Sequence, residues 1–390
     1  MTNRFPLFVS MLTVSLLLTG CWDRKEVNDI AFITSTAVDK KEGKYQVSNI
    51  IALPRRLGSP GNPGGGGQQQ AWFVLSKTGE TIQIVNQQEQ ESYSRSLYLA
   101  HRRSMLIGEQ MAKEGISPIF DAFGRVTQQR MTTLVIIAIG EARNVLTVNV
   151  PSEQLSSEHI RELILLSRKT PQNIKHVLNI LLTDGIDLTL PTVDIVKSDP
   201  SVKSSSDLIR IHGLAVFRKD KLTGYLSGED AQLLLLAMNQ AKLPLLELNA
   251  PNSKGKLVVR LERSEVRALP VIRGEEITLR LEIRSYGMIL ENESNYMINT
   301  DSGLLKVQQM LNEKIKKRTE EIIKDLQNKY HSDPIGIGQI ISEKNLKEWK
   351  KIRNRWRDVY PKIHVEVISN VHVEHIGIVG APLGRKDVEQ

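Results

Sequence analysis

The sequence predicts an α+β fold, a multi-domain body of mostly antiparallel sheets and packed helices with a long amphipathic helix in its C-terminal half. Three observations predict it. Leu257, Val259 and Leu261, and then Ile277, Leu279, Leu281 and Ile283, alternate with polar residues, the period of an antiparallel sheet with one face in water. Leu304, Val307, Leu311, Ile315, Ile322 and Leu326 recur at helical spacing over roughly 302–330. Earlier in the chain, short strand-like runs are interspersed with short helical stripes, without a repeat of fixed period. The chain has 390 residues, 40% of them apolar and 25% charged, which suits two or three globular domains of about 100–200 residues. That composition excludes a wholly disordered, collagen-like or polytopic membrane chain. Aromatic residues are only 5%, which disfavours a base-stacking nucleic-acid surface.

Residues 1–20 read as a signal peptide. Arg4 is the only charged side chain before Asp23, and Pro6 to Leu18 is mostly apolar but too short for a spanning helix of about 20 residues. The stretch ends in Leu18-Thr19-Gly20-Cys21, a lipobox: an apolar residue, two small ones that fit a narrow peptidase cleft, then Cys. Cleavage between Gly20 and Cys21 is expected, with Cys21 carrying an S-diacylglycerol and an N-acyl chain such as palmitate. Each buried methylene is worth about 0.8 kcal/mol, so two or more chains anchor stably. Cys21 is the only cysteine, so neither an intramolecular disulfide nor a Cys-based zinc site is possible. No later apolar run approaches about 18 residues. The mature body is therefore expected outside the membrane, on a lipid tether. Its net charge is the full chain's +8 less the one charge of Arg4. Residues 301–358 hold 14 Lys and Arg against 9 Asp and Glu. A basic surface near a tethered membrane can face anionic headgroups, although a solvated helical face is the simpler account.

Along the body, Ile30 to Ile33 and Tyr45 to Ile51 read as strands around a turn at Lys40 to Lys44. Gly58 to Gln70 is a Gly/Gln-rich loop and lacks the Gly-Lys-Ser/Thr of a phosphate-binding loop. Trp72 to Leu75 resumes a strand, and Gly79-Glu80-Thr81-Ile82 opens a helix. Leu97 to His101 and Ser104 to Ile107 are strand-like, Gly108 to Gly115 is a short helix, and Met131 to Gly140 is a buried strand. Thr170-Pro171 reads as a helix start, with Ile174, Val177, Leu178 and Leu181 as the apolar stripe and Gly185 as the stop. Residues 197–206 are polar, small and Pro-containing, the best candidate linker. It would separate an N-terminal α+β region, 21–196, from a C-terminal α+β region, 207–383, with room for two subdomains, before a tail at 384–390. Beyond it, Gly213 to Phe217 and Leu222 to Leu226 form a hairpin, and Ser227 with Asp230 is expected to cap a helix over Glu229 to Gln240. Glu313/Lys317 and Glu320/Lys324 are expected ion pairs on the long helix. Asp333 to Gly338 is a turn, a last helix runs near Ser342 to Val359, and His364 to Val373 is a final strand.

No catalytic signature emerges. In a strand, His372 and Glu374 share one face and His375 takes the other, unlike the helical His-Glu-x-x-His zinc motif. No Ser sits in a Gly-x-Ser-x-Gly elbow. His101-Arg102-Arg103 lies between apolar runs, where a satisfied, partly buried His101 is favoured over an anion site. Leu346, Trp349, Ile352 and Trp356 are spaced as one helical stripe flanked by Lys and Arg, a pattern of membrane-surface helices. The preceding helix and following strand both offer an apolar face, so a core role is expected instead.

Cys21 followed by Trp22-Asp23-Arg24-Lys25-Glu26-Val27-Asn28-Asp29 resembles the mature start of the Ger(x)C spore germination lipoproteins. The resemblance continues in Gly79 to Ile82, Tyr98 to His101, Ile107 to Gly115, Gly213 to Phe217 and Gly224 to Leu226. It ends in Asp333 to Gly338, Trp349, Trp356 and the terminal strand, and so spans the mature chain. The 58–70 loop looks like an insertion, and Leu214 is larger than the family pattern leads one to expect. The resemblance implies the C subunit of a nutrient germinant receptor. Such a subunit is a three-domain α+β body on the outer face of the spore's inner membrane, with A and B subunits as partners. It implies no enzymatic residues, no cofactor and no nucleic-acid partner. It leaves direct contact with a small-molecule germinant open. The competing reading, a solute-binding lipoprotein of a transporter, requires two similar α/β lobes, and the halves of this sequence look dissimilar. A lipid-anchored hydrolase requires a nucleophile or metal set that is not found.

Overall fold

The computed structural model describes residues 27–53, 71–126, 129–150, 153–202 and 205–375. Cys21, Gly20, the 58–70 loop and the 384–390 tail lie outside them.

Two sheets organise these residues. The first has nine strands: β1 (Ile30–Lys41), β2 (Lys44–Ala52), β3 (Trp72–Gly79), β4 (Ser96–Tyr98), β5 (Ser104–Gly108), β6 (Leu134–Ala138), β7 (Thr189–Lys197), β8 (Asp207–Arg218) and β9 (Lys221–Ser227). Their order is β3-β2-β1-β5-β6-β7-β8-β9, with β4 beside β1. The centre, β1-β5-β6-β7, is parallel, and antiparallel pairs flank it. Alternation splits each central strand between two cores. Val38, Ile107 and Ile137 pack under α1 (Ile82–Glu91), α2 (Glu109–Glu114), α3 (Ser117–Gly124) and α6 (Ile174–Leu181). Ala37, Leu106 and Ile136 pack under α4 (Ala142–Leu146) and α5 (Ser156–Ser167). Strands covered on both faces need continuous apolar runs, and β5 and β6 are buried throughout.

The polar stretch at 197–206 connects β7 to β8, and Lys197 pairs with Asp207. The first sheet therefore continues across it and is completed by β8 and β9. After α7 (Gly228–Ala237), the second sheet runs β10 (Leu245–Asn249), β11 (Lys256–Arg273), β12 (Glu276–Asn292) and β13 (His364–His375). It is antiparallel except for β12-β13. One face packs against the long helix α8 (Asp301–Asp325), which continues as a π turn over Leu326–Tyr330. Val307, Leu311, Ile315, Ile322 and Leu326 are the buried stripe, as expected. Beside that stripe, polar side chains of α8 cover the free edge of β13. Gln308 accepts from Val373 N at 2.8 Å, Asn312 from Val371 N at 2.7 Å, and Glu320 from Val367 N at 3.1 Å. An edge strand capped this way cannot template pairing with another chain.

Local departures from the sequence reading have physical causes. Thr170 does not cap α6; Asn173 does, its side chain accepting from His176 N. Thr170 N instead donates to Gln240, and Gln172 O receives Val135 N, which keeps this segment extended. Ser227 begins α7 without a side-chain cap, and the Asp230 carboxylate, which would return the bond to Ser227 N in a capping box, is engaged by Arg318. Glu320 serves β13 and not Lys324. The expected last helix is three pieces, α9 (Ile337–Lys344), α10 (Leu346–Ile352) and α11 (Trp356–Val359), with Asn345 capping the second. Among the described residues no helix is long and apolar enough to cross a membrane.

Candidate functional site at the junction of the two sheets

The loop entering β7, the β8-β9 turn and the segment from Ser332 to Tyr360 meet at one buried point. Asp187 sits there with its side chain 1% exposed. Its Oδ1 accepts from Lys219 N at 2.8 Å and from Arg357 Nη2 at 2.7 Å. Its Oδ2 accepts from Asp333 N at 2.8 Å and from Arg357 Nη1 at 2.5 Å. The backbone exchange is mutual, since Asp187 N donates to Asp333 O at 2.8 Å. One carboxylate thus ties three chain segments, and the two-pronged guanidinium geometry fixes direction as well as distance.

Asp333 organises the next turn. Its carboxylate accepts from Gly336 N, Ile337 N and Gly338 N at 2.9–3.1 Å, satisfying donors that open α9. Burial pushes its pKa up to about 7, with the Asp187 charge adding to the rise, while the three N–H donors pull it down. Ser332 donates to Phe217 O, and Tyr360 OH donates to Ser332 O at 2.7 Å. Glycines permit the approach. A Cβ on Gly338 would lie 2.6 Å from Gly185 Cα and 2.8 Å from Trp356 Cε2. A Cβ on Gly224 would lie 2.3 Å from Tyr330. Trp349 and Trp356 are each 5% exposed and meet edge to face at 5.3 Å, so both are core residues of this junction. Leu346, expected on the same stripe, is 54% exposed because α10 is short and begins there. Beside the junction is an open cavity of about 410 Å³ lined by Asp184, Asp187, Lys219, Asp220, Arg353 and Trp356 among others.

A second polar chain crosses the first sheet. Asn49 donates to Glu89 at 2.6 Å, Thr36 to Asn49 at 2.6 Å, and Arg102 to Thr36 at 3.3 Å. Arg102 also reaches Gln129 and lies 4.5 Å over the Phe123 ring. Glu89 and Arg102 are both 0% exposed, and among the described residues neither has an opposite charge within bonding distance. Burial therefore pushes the Glu89 pKa up to about 8 and pulls Arg102 down to about 9. The buried member of His101-Arg102-Arg103 is Arg102, whereas His101 is exposed, with its ring 5.2 Å from Phe32.

The remaining sequence candidates are brought to no common site. His372 and Glu374 are exposed on β13, with Glu374 paired to Arg263 at 2.7 Å. Among the described residues no group of three or more His, Cys, Asp or Glu could hold a metal. The sequence of Asp333 to Gly338 reads as a simple turn, and nothing in the sequence around Asp187 marks it as a partner. The signal was there: an Asp followed by Gly at two alternate positions, ahead of a Trp-bearing helix, asks what approaches those glycines.

The geometry defines a class: a two-sheet α+β protein joined by a buried acidic pin and devoid, among the described residues, of a metal-type cluster. The comparisons make the class specific. Residues 23–195 match the spore germination protein N-terminal domain, and residues 212–377 match the spore germination B3/GerAC like, C-terminal domain. The chain is 36% identical over 376 residues to YfkR of Bacillus subtilis (strain 168), covering 94% of this chain and 96% of that one. It is 23% identical over 401 residues to spore germination protein KC of the same organism, covering 98% of each. The crystal structure of the GerBC protein superposes with a TM-score of 0.58 over 90% of this chain and all of that one, at 16% identity. The chain belongs to the Ger(x)C family of spore germination proteins.

Proposed function

We propose that this chain is the lipid-anchored C subunit of a germinant receptor, required for the germination response to nutrients. It is held through Cys21 on the outer face of the spore's inner membrane. It works by assembly with the receptor's A and B subunits and not by catalysis. The observation that carries the reading is the agreement of both family domains along the mature chain with a lipobox directly ahead of them. A rigid body joined by buried polar contacts suits a subunit that positions others. The solute-binding alternative gains no support from a nine-stranded sheet followed by a four-stranded one.

Mass spectrometry of the membrane-extracted protein tests the anchor: the N-terminal peptide is expected to begin at Cys21 and carry diacylglycerol and an acyl chain. An unmodified Cys21 overturns it. Spores lacking this gene, in a background without related receptors, are expected to lose the response to at least one nutrient mixture while growth is unchanged. A normal response to every mixture overturns the receptor role.

A further inference from the structure

We infer that the exposed basic face of residues 344–362 rests on an anionic lipid surface and sets the orientation of the body on the membrane. The inference rests on the anchored reading above for its geometry, but it has its own test.

Within 343–362, eight residues are basic and three acidic. Burial of Trp349, Ile352 and Trp356 turns the opposite side of α10 and α11 outward. Lys344, Lys347, Lys350, Lys351, Arg353, Arg355 and Lys362 are exposed there. Arg357 is engaged with Asp187, Lys351 with Glu348, and Arg353 loosely with Asp184 at 3.5 Å. Lys344, Lys347, Lys350, Arg355 and Lys362 have no acidic partner among the described residues. Leu346 lies four residues before Lys350 on that outward side, and Leu182, two residues before Asp184, is 85% exposed. A charged face with exposed leucines is the composition of an interfacial surface.

The register places this face at the tether. Ser35 pairs with Ser104, Ser104 with Leu134, and Ile137 with Thr192, all in parallel. The start of β1 and the entry to β7 therefore lie at the same end of the first sheet, three strands or about 14 Å apart across it, with Ile30 about three residues, or roughly 10 Å, further out along the strand than Asp187. Asp187, at the β7 entry, holds Arg357 and so fixes 344–362 at that end. The chain leaves β1 there toward Cys21, only eight residues before Asp29, a reach of at most about 30 Å. A bilayer holding the Cys21 acyl chains is then within reach of the basic face. Each Lys or Arg near an anionic leaflet contributes about 1 kcal/mol.

The test uses the lipidated full-length mature protein reconstituted on vesicles of phosphatidylcholine alone or with 30% phosphatidylglycerol (roughly the charge density of an anionic leaflet). Lysines are labelled with a membrane-impermeant amine reagent and quantified by peptide mass spectrometry. Lys347, Lys350 and Lys362 are expected to lose labelling at least threefold on the anionic vesicles and to regain it at high salt. Lys44 and Lys197, each 52% exposed at the opposite end of the sheet, are expected to be unchanged. A K347Q/K350Q/R355Q variant is expected to abolish the protection of Lys362 while still floating with neutral vesicles. Flotation with unchanged labelling overturns the basic face and leaves the anchor standing; the face then awaits a protein partner. Flotation only with anionic vesicles overturns the anchor and upholds the face. Flotation with neither, or equal protection on neutral vesicles, overturns the face.

Discussion

Asp187 and Arg357, 170 residues apart in sequence, form a two-pronged ion pair that joins the two sheets. Breaking a buried pair costs more than the pair contributes, because the partner charge is left in a low-dielectric setting. Asp187→Asn also aims an amide NH2 at one of two backbone donors that need an acceptor, Lys219 N or Asp333 N, depending on which way the amide is turned. The expected loss is about 3–5 kcal/mol in denaturant unfolding. Asp184→Asn, which breaks a largely exposed pair with Arg353, is expected to cost about 0–1 kcal/mol. Equal effects would mean that the pin carries no special weight.

Glu89 supplies a pH dependence with a definite sign. Its folded-state pKa of about 8 lies above the ordinary 4.5, so the folded protein binds this proton more tightly than the unfolded chain. The resulting stability is complete below about pH 4.5 and is lost as the pH rises through about 8. Glu89→Gln keeps an acceptor for Asn49 and cannot ionise. Wild-type stability is expected to fall between about pH 5 and pH 8 and the variant's to fall less. At about pH 8.5 the variant is expected to be the more stable by roughly 1–3 kcal/mol. Parallel pH curves for the two proteins would show that Glu89 is ionised throughout.

Trp356 touches Trp349 at 5.3 Å and Tyr360 at 5.8 Å between ring centroids. Trp356→Ala is expected to cost about 3–5 kcal/mol and to lower the melting temperature by several degrees. A surface Trp would change stability by about 0.5 kcal/mol or less. Calorimetry of the variant separates the two.

What the sequence showed and what it hid follow from the range of each interaction. Strands β11 and β12 and helix α8 were legible because their periodicity is local, and one face of each looks into a single core. The continuation of the first sheet through β8 was hidden, since a polar stretch between strands looks alike whether it ends a domain or closes a hairpin. Arg102 and Glu89 were hidden for a different reason. Charged residues are rarely fully buried, and it is the relay through Thr36 and Asn49, with Gln129 and the Phe123 ring beside Arg102, that makes their places tolerable. The last helix was misread as continuous because Asn345 caps a new helix in mid-stripe, which the Trp349–Trp356 spacing does not reveal. Asp187 left no periodic trace at all, since its partners come from two distant segments, the β8-β9 turn and 332–360.

Gly338 and Gly274 separate close approach from backbone strain. Gly274 sits in the β11-β12 turn at φ +62°, and a Cβ added there would meet nothing within 4 Å. Gly274→Ala should therefore cost only left-handed strain, about 1–2 kcal/mol. Gly338 lies in the first turn of α9, outside the left-handed region. On propensity alone, Ala there should gain roughly 0.5–1 kcal/mol. Its Cβ would instead fall 2.6 Å from Gly185 Cα and 3.0 Å from Gly185 O, backbone that cannot rotate away. Gly338→Ala is accordingly expected to destabilise by about 1–3 kcal/mol as the packed segments are forced apart. The displacement should show locally, because Gln339 N donates to Gly185 O across this contact at 2.9 Å. Hydrogen exchange at Gln339 and Asp187 is expected to quicken in Gly338→Ala and to stay unchanged in Gly274→Ala. If Gly338→Ala is as stable as wild type with the same exchange at both amides, the two sheets are not held at contact distance by this glycine pair.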